Sequence, residues 1–188
     1  MPTTLVTTIA PYFEPYLELT SLMDESYYFR KESTALLDSD GKKRLWHPRI
    51  KHRVLRGYHS SNEGILYAAF PATVLLHQLK SDDLLYLGCS ASGGSRFWRG
   101  RQNESLKFPE HKSCFHHEQM RRGRDGNNLE NYLVKFGAVV LHTITNSLVL
   151  DISKEHQITL LDGKYPAHQL ERAILVEGFK NWKWNGRS

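Results

Sequence analysis

The chemistry open to this sequence centres on two tyrosines, one glutamate and a cluster of arginines. Tyr67 sits in the apolar run 64–70 (GILYAAF), and Tyr86 sits in 82–90 (DDLLYLGCS). Both runs are short, and each borders a Gly or Pro, the pattern of buried strands. With a period of two, Ile65, Tyr67 and Ala69 share one face of the first strand. Leu84, Tyr86 and Gly88 share one face of the second, with Leu85 and Leu87 opposite. Antiparallel pairing would make the two phenols neighbours, able to position a water or take its proton. Tyrosines are also ordinary strand residues, so this spacing fits a plain sheet as well.

Glu171 lies in the run 167–179 (AHQLERAILVEGF), a clear helical pattern opened by Pro166. Ile174 and Leu175 follow three and four residues later, so Glu171 borders the apolar face. A carboxylate turned inward is costly unless it is paired or holds a metal. Glu177, six residues on, points to another side of the helix.

Charge is unevenly spread. Residues 1–40 hold seven acids and two bases, whereas residues 41–56 (GKKRLWHPRIKHRVLR) hold seven bases and no acid. Residues 89–126 hold eight Lys/Arg against four acids. Local basic blocks suit phosphate contacts. Candidates are Lys42, Lys43, Arg44, Arg49, Lys51 and Arg53 in the first block. In the second they are Arg101, Arg121 and Arg122, with His116 and His117 as further phosphate or proton-transfer groups. A solvated basic face is the other reading of such blocks.

The elements that must position these groups follow from patterning. A helix is expected within 12–29, and a turn at 38–43 (DSDGKK). The stretch 72–80 fits a helical turn or more strand. A helix is expected from Ser95 and another over 113–122, each opened by a Ser. Residues 127–137 predict a helix capped by Asn128 and stopped by Gly137. Residues 139–145 predict a strand, and 146–164 have no assignment. The whole is α+β: a small mixed or antiparallel sheet flanked by helices. The expected division is an N-terminal arm over 1–60, acidic then basic, and a core over 61–188.

Gly64-Ile65-Leu66-Tyr67 followed by Tyr86-Leu87-Gly88 resembles the paired motif that names the GIY-YIG nucleases. Further family features follow in order: arginines in 95–101, Lys135-Phe136-Gly137 at a helix end, a strand over 139–144, Glu171, and Asn185 near the end. The resemblance spans residues 64–185. The first motif has an extra residue before its Tyr, and the gap to Tyr86 is long, as in the restriction-type members. The resemblance implies a GIY-YIG-like core and a divalent-metal-dependent endonuclease acting on double-stranded DNA. It implies Tyr67 and Tyr86 at the nucleophilic water, and an Arg stabilising the phosphate charge. It also implies Glu171 as the single protein ligand to Mg²⁺ or Mn²⁺, and Asn185 steadying the site. Distance from Tyr86 favours Arg99 for the arginine, with Arg96 second. A symmetric DNA site would imply a homodimer.

Composition agrees with a globular chain: 188 residues, 40% hydrophobic, 24% charged, net charge +5. No apolar run reaches the roughly 18 residues of a membrane span. The N-terminus lacks the pattern of a signal peptide. Two cysteines, Cys89 and Cys114, do not make a disulfide framework. A cytoplasmic protein is expected. Two rival readings remain. One is a non-catalytic nucleic-acid-binding protein using Trp46, Phe97, Trp98, Trp182 and Trp184. The other is a zinc-containing protein using His111, Cys114, His116 and His117, joined by Cys89, with a related ββα-metal nuclease that would use His116 or His117 with Asn128.

Overall fold

A computed structural model describes residues 4–21, 35–37, 43–45, 50–55, 63–97, 110, 111, 117, 120 and 128–177. Six strands form one sheet: β1 (Glu14–Ser21), β4 (Ile50–Val54), β5 (Ile65–Pro71), β6 (Tyr86–Ser90), β7 (Glu110–His111) and β8 (Ala138–Thr145). Their order is β6-β5-β8-β1-β4-β7, and every neighbouring pair is antiparallel. A separate ladder pairs β2 (Ala35–Leu37) with β3 (Lys43–Leu45), and the turn expected at 38–43 lies, up to Lys43, outside the described residues. The helices are α1 (Leu5–Ile9), α2 (Leu129–Phe136), α3 (Asn146–Glu155) and α4 (Pro166–Val176). The class is α+β, as the patterning predicts.

Alternation along the strands gives the sheet two apolar faces, and helices cover both. On one face Ile65, Tyr67, Ala69, Tyr86, Val139 and Leu141 pack against Leu129, Tyr132 and Leu133 of α2. On the other, Leu66, Ala68, Phe70, Leu87 and Ile144 pack against α1, α3 and α4 through Val6, Val149, Ile152, Leu170 and Ile174. Burial of these two clusters is the main stabilising term.

Several expected elements are as predicted. Asn128 caps α2, its Oδ1 accepting from the Asn131 N–H at 2.9 Å. Gly137 ends that helix at φ +77°, a conformation glycine adopts at no side-chain cost. Strand β8 and helix α4 lie over the expected runs, with Pro166 in the first turn of α4.

Other expectations are corrected. The helix expected within 12–29 is strand β1 over residues 14–21. Leu17 and Leu19 are buried there, while Glu18 between them faces Arg53 of β4 at 3.0 Å. That alternation outweighs the aromatic and acidic composition that suggested a helix. Residues 72–80 form turns and a short 3₁₀ segment, not further strand. Strand β6 begins at Tyr86, so Leu84 and Leu85 precede it, and Leu84 packs on the face opposite to Tyr86. The segment at Ser95 is a 3₁₀ turn, Gly93–Phe97, that starts two residues earlier. A Cβ on Gly94 would collide with the Tyr16 hydroxyl, so this close approach needs a glycine. Residues 146–155, unassigned by pattern, are α3. Its start is held by Thr145, which accepts from the Leu148 N–H at 3.4 Å, and by Glu63, which accepts from the Ser147 N–H at 2.6 Å. Strands β1 and β4 come from the segment expected as an arm, and β1 is hydrogen-bonded between β8 and β4.

Candidate active site

The β5–β6 ladder pairs Tyr67 with Gly88 and Ala69 with Tyr86, so both phenols lie on the α2 face of the sheet. Their rings stack at 5.9 Å between centroids, inclined by 17°. Gly88 makes this possible. A Cβ there would lie 2.6 Å from both Cζ and Oη of Tyr67. The Gly of the second motif is therefore required because the Tyr of the first crosses over it.

His117 closes the cluster. Its Nε2 lies 2.7 Å from the Tyr67 hydroxyl, and its Nδ1 accepts from the Met120 N–H at 3.2 Å. It is 3% exposed. Its ring meets those of Tyr86 and Tyr67 edge-on at 5.1 and 5.6 Å. Phe97 packs edge-on against Tyr67 at 4.9 Å and is fully buried, so the expected base-stacking role for Phe97 is not available.

Arg96 approaches from the 3₁₀ turn after β6. Its charge acts on Tyr67, Tyr86, Cys89 and Tyr165, lowering the pKa of each, and it hydrogen-bonds Tyr67. Burial works the other way: it holds Tyr67 well above the ordinary tyrosine value and pushes Tyr86 up to about 12. The contact between the phenols raises Tyr67 and lowers Tyr86.

Glu171 stands on α4, across the sheet from the stacked rings, and reaches the site at strand β6, the end strand of the described sheet. Its Oε2 accepts from the Cys89 thiol at 2.8 Å, and the Tyr165 hydroxyl donates to the same sulfur at 3.3 Å. Burial, then the bond to Glu171, pushes the Cys89 thiol up to about 12, so it stays protonated and is not a nucleophile. The Glu171 carboxylate in turn raises Tyr86, which therefore feels both Arg96 and Glu171. Ile174 is buried as expected, but Leu175 is 36% exposed, so Glu171 borders the face formed by Leu170 and Ile174. Glu177 is occupied elsewhere: its Oε2 accepts from the Leu5 N–H at 2.8 Å.

Of the expected site residues, Tyr67, Tyr86, Arg96, His117 and Glu171 gather around the β5–β6 ladder. Arg99, Arg101, His116, Arg121, Arg122, Asn185, Lys42 and Arg49 lie outside the described residues. Lys43 and Arg44 are on β3, and Lys51 and Arg53 are on β4. Arg53 forms an ion pair with Glu18, a role that competes with phosphate binding. Cys89 is expected from sequence only as a member of a histidine–cysteine metal site, and Tyr165 is not singled out there. The alternation that puts Tyr86 and Gly88 on one face puts Cys89 on the other, and only the packing of α4 brings it to Glu171.

Glu171 suits a divalent cation of the hydrated kind. Its carboxylate is partly exposed, and an oxygen donor of this kind is what a hard, mostly hydrated cation takes. Among the described residues, no group of three or more His, Cys, Asp or Glu converges on one point. Of the rival histidine sites, both His117 nitrogens are engaged by Tyr67 and Met120 and Asn128 caps α2, while Cys114 and His116 lie outside the described residues. No helix of the described residues is long and apolar enough to cross a membrane. No family model, curated protein or solved structure matches this chain.

Proposed function

We propose that this chain is a divalent-metal-dependent endonuclease of the GIY-YIG type, hydrolysing phosphodiester bonds of double-stranded DNA. The observation that carries the reading is the gathering of Tyr67, Tyr86, Arg96 and Glu171 around strand β6, where Tyr67 stacks on Tyr86 and the charges of Arg96 and Glu171 both act on it. These four come from separated parts of the sequence, and each brings a group that phosphodiester hydrolysis needs.

Tyr86, which burial keeps a neutral phenol at neutral pH, orients the water that attacks phosphorus, and that water gives its proton to solvent. The bond from water oxygen to phosphorus forms, the bond to the 3′ oxygen breaks, and solvent protonates that oxygen. The products are a 5′ phosphate and a 3′ hydroxyl. Arg96, whose charge acts on Tyr86, is a planar donor that matches the phosphate oxygens. Tyr67 holds Tyr86 by stacking and by hydrogen bonding. Glu171 would hold Mg²⁺ or Mn²⁺, with phosphate and water completing the shell. When bound, the cation would neutralise charge on the scissile phosphate and its leaving oxygen.

The basic strand β4 lies four strand positions from β6. At about 4.8 Å per step that is about 19 Å. With about 3.4 Å per base pair, basic residues there would meet backbone about six base pairs from the cut. That distance suits a recognition surface separate from the reacting phosphate, in a restriction-type enzyme working as a homodimer on DNA. The test is to incubate plasmid DNA with the protein in Mg²⁺ or Mn²⁺, beside a chelated control. Metal-dependent cuts with ligatable ends are the expected outcome. DNA that is bound but uncut in either metal contradicts the reading.

A further inference from the structure

The neighbourhood of His117 fixes which way protons point through the cluster. A backbone N–H can only donate, so the bond from Met120 N at 3.2 Å leaves Nδ1 of His117 without a proton. The neutral imidazole then carries its proton on Nε2, the nitrogen 2.7 Å from the Tyr67 hydroxyl. Nε2 therefore donates and the Tyr67 oxygen accepts. We infer that His117 is a fixed hydrogen-bond donor that orients Tyr67 toward Tyr86, and that it is not the base that receives the proton of the attacking water. The inference rests on the nuclease reading for its catalytic consequence, but the tautomer itself does not.

A phenol has one proton to give and two lone pairs to fill. Nε2 of His117 occupies one lone pair of Tyr67, so the Tyr67 proton points away from His117, on the hydroxyl of a ring stacked against Tyr86. A proton reaching Tyr67 cannot pass on to His117, because Nε2 already points its own proton at the Tyr67 oxygen. His117 is thus a positioning residue, and Tyr86 is the catalytic phenol. The packing holds this arrangement: His117 is 3% exposed, with the rings of Tyr67, Tyr86 and Phe97 around it.

Two measurements on the full chain test this. The first is the long-range proton–nitrogen NMR spectrum of the uniformly ¹⁵N-labelled wild-type protein at neutral pH, with His117 assigned by its loss in His117→Gln. The expected result is a protonated Nε2 and an unprotonated Nδ1. A protonated Nδ1 overturns the inference whether or not the protein cuts DNA. The second compares single-turnover cleavage by wild type, His117→Gln and His117→Ala. Gln keeps an N–H for Tyr67 but has no basic nitrogen. Its rate is expected within about tenfold of wild type, the scale of one perturbed hydrogen bond, with Ala lower by about a hundredfold. A Gln variant as slow as Ala, although its backbone spectrum matches wild type, overturns the inference. A wild type that cuts nothing counts against the nuclease reading alone, because the tautomer is still decided by NMR.

Discussion

Gly88 lets one phenol lie across the backbone of the next strand. Adding a methyl there brings carbon to 2.6 Å from the Tyr67 ring, which is buried on all sides and cannot move away freely. Gly88→Ala is expected to cost about 1–3 kcal/mol, read as a fall in the thermal midpoint. It is also expected to slow cleavage by about a hundredfold through misplaced tyrosines. A variant with wild-type stability and rate would show that the stacking is not needed. Cys89 makes a second prediction. With its thiol held at about 12, alkylation at pH 8 should be slow despite partial exposure. In a Cys114→Ser background, Glu171→Gln should speed it, since the carboxylate is a cause of the shift, though burial remains the larger one. Equal rates in the two proteins would contradict the Cys89–Glu171 contact. Tyr67, Tyr86 and Glu171 were visible in the sequence because they sit in short motifs with a clear period. The meeting of Cys89 and Tyr165 beside Glu171 was not, because it depends on where α4 crosses the sheet. Between Arg96 and Arg99, sequence spacing preferred Arg99; the electrostatics at the tyrosines bring in Arg96, carried by a turn that Gly93 and Gly94 shape.

At the level of elements, α2, α4 and β8 were legible because their apolar residues recur with one period and their ends carry caps. Strand β1 was hidden by composition: aromatic and acidic residues fit either structure, and only burial of Leu17 and Leu19 separates them. Helix α3 was hidden because its N-terminal support comes from Glu63, far away in sequence. Gly137 allows a clean test of the α2 boundary. Its φ is +77°, and a Cβ there would meet nothing within 4 Å, so any penalty is conformational. Gly137→Ala is expected to lower stability by about 1–2 kcal/mol while leaving the cleavage rate unchanged. Denaturant unfolding and a cleavage assay check both halves, and unchanged stability would contradict the left-handed conformation.

For the molecule as a whole, His142 lies in β8 between β5 and β1 and is 8% exposed. Burial lowers its pKa to about 4, partly offset by its bond to the Val140 carbonyl. The unfolded chain, near the ordinary value of about 6.5, binds this proton more readily than the folded one. Stability from this group is therefore complete above about pH 6.5 and is lost as pH falls toward 4, by about 3 kcal/mol in all. His142→Leu should flatten that part of the pH–stability curve, and an unchanged slope would contradict the burial. The same sheet sets the functional geometry. Its β6 end carries the tyrosines, and basic β4 lies about 19 Å away, so cleavage and part of DNA binding should separate under mutation. The most direct test compares single-turnover DNA cleavage and DNA binding by wild type and Glu171→Ala in Mg²⁺ and Mn²⁺. The account predicts near-equal binding, cleavage by the wild type only in metal, and at least about a hundredfold loss in the variant. Cleavage by Glu171→Ala at the wild-type rate, with the same metal dependence, would contradict it.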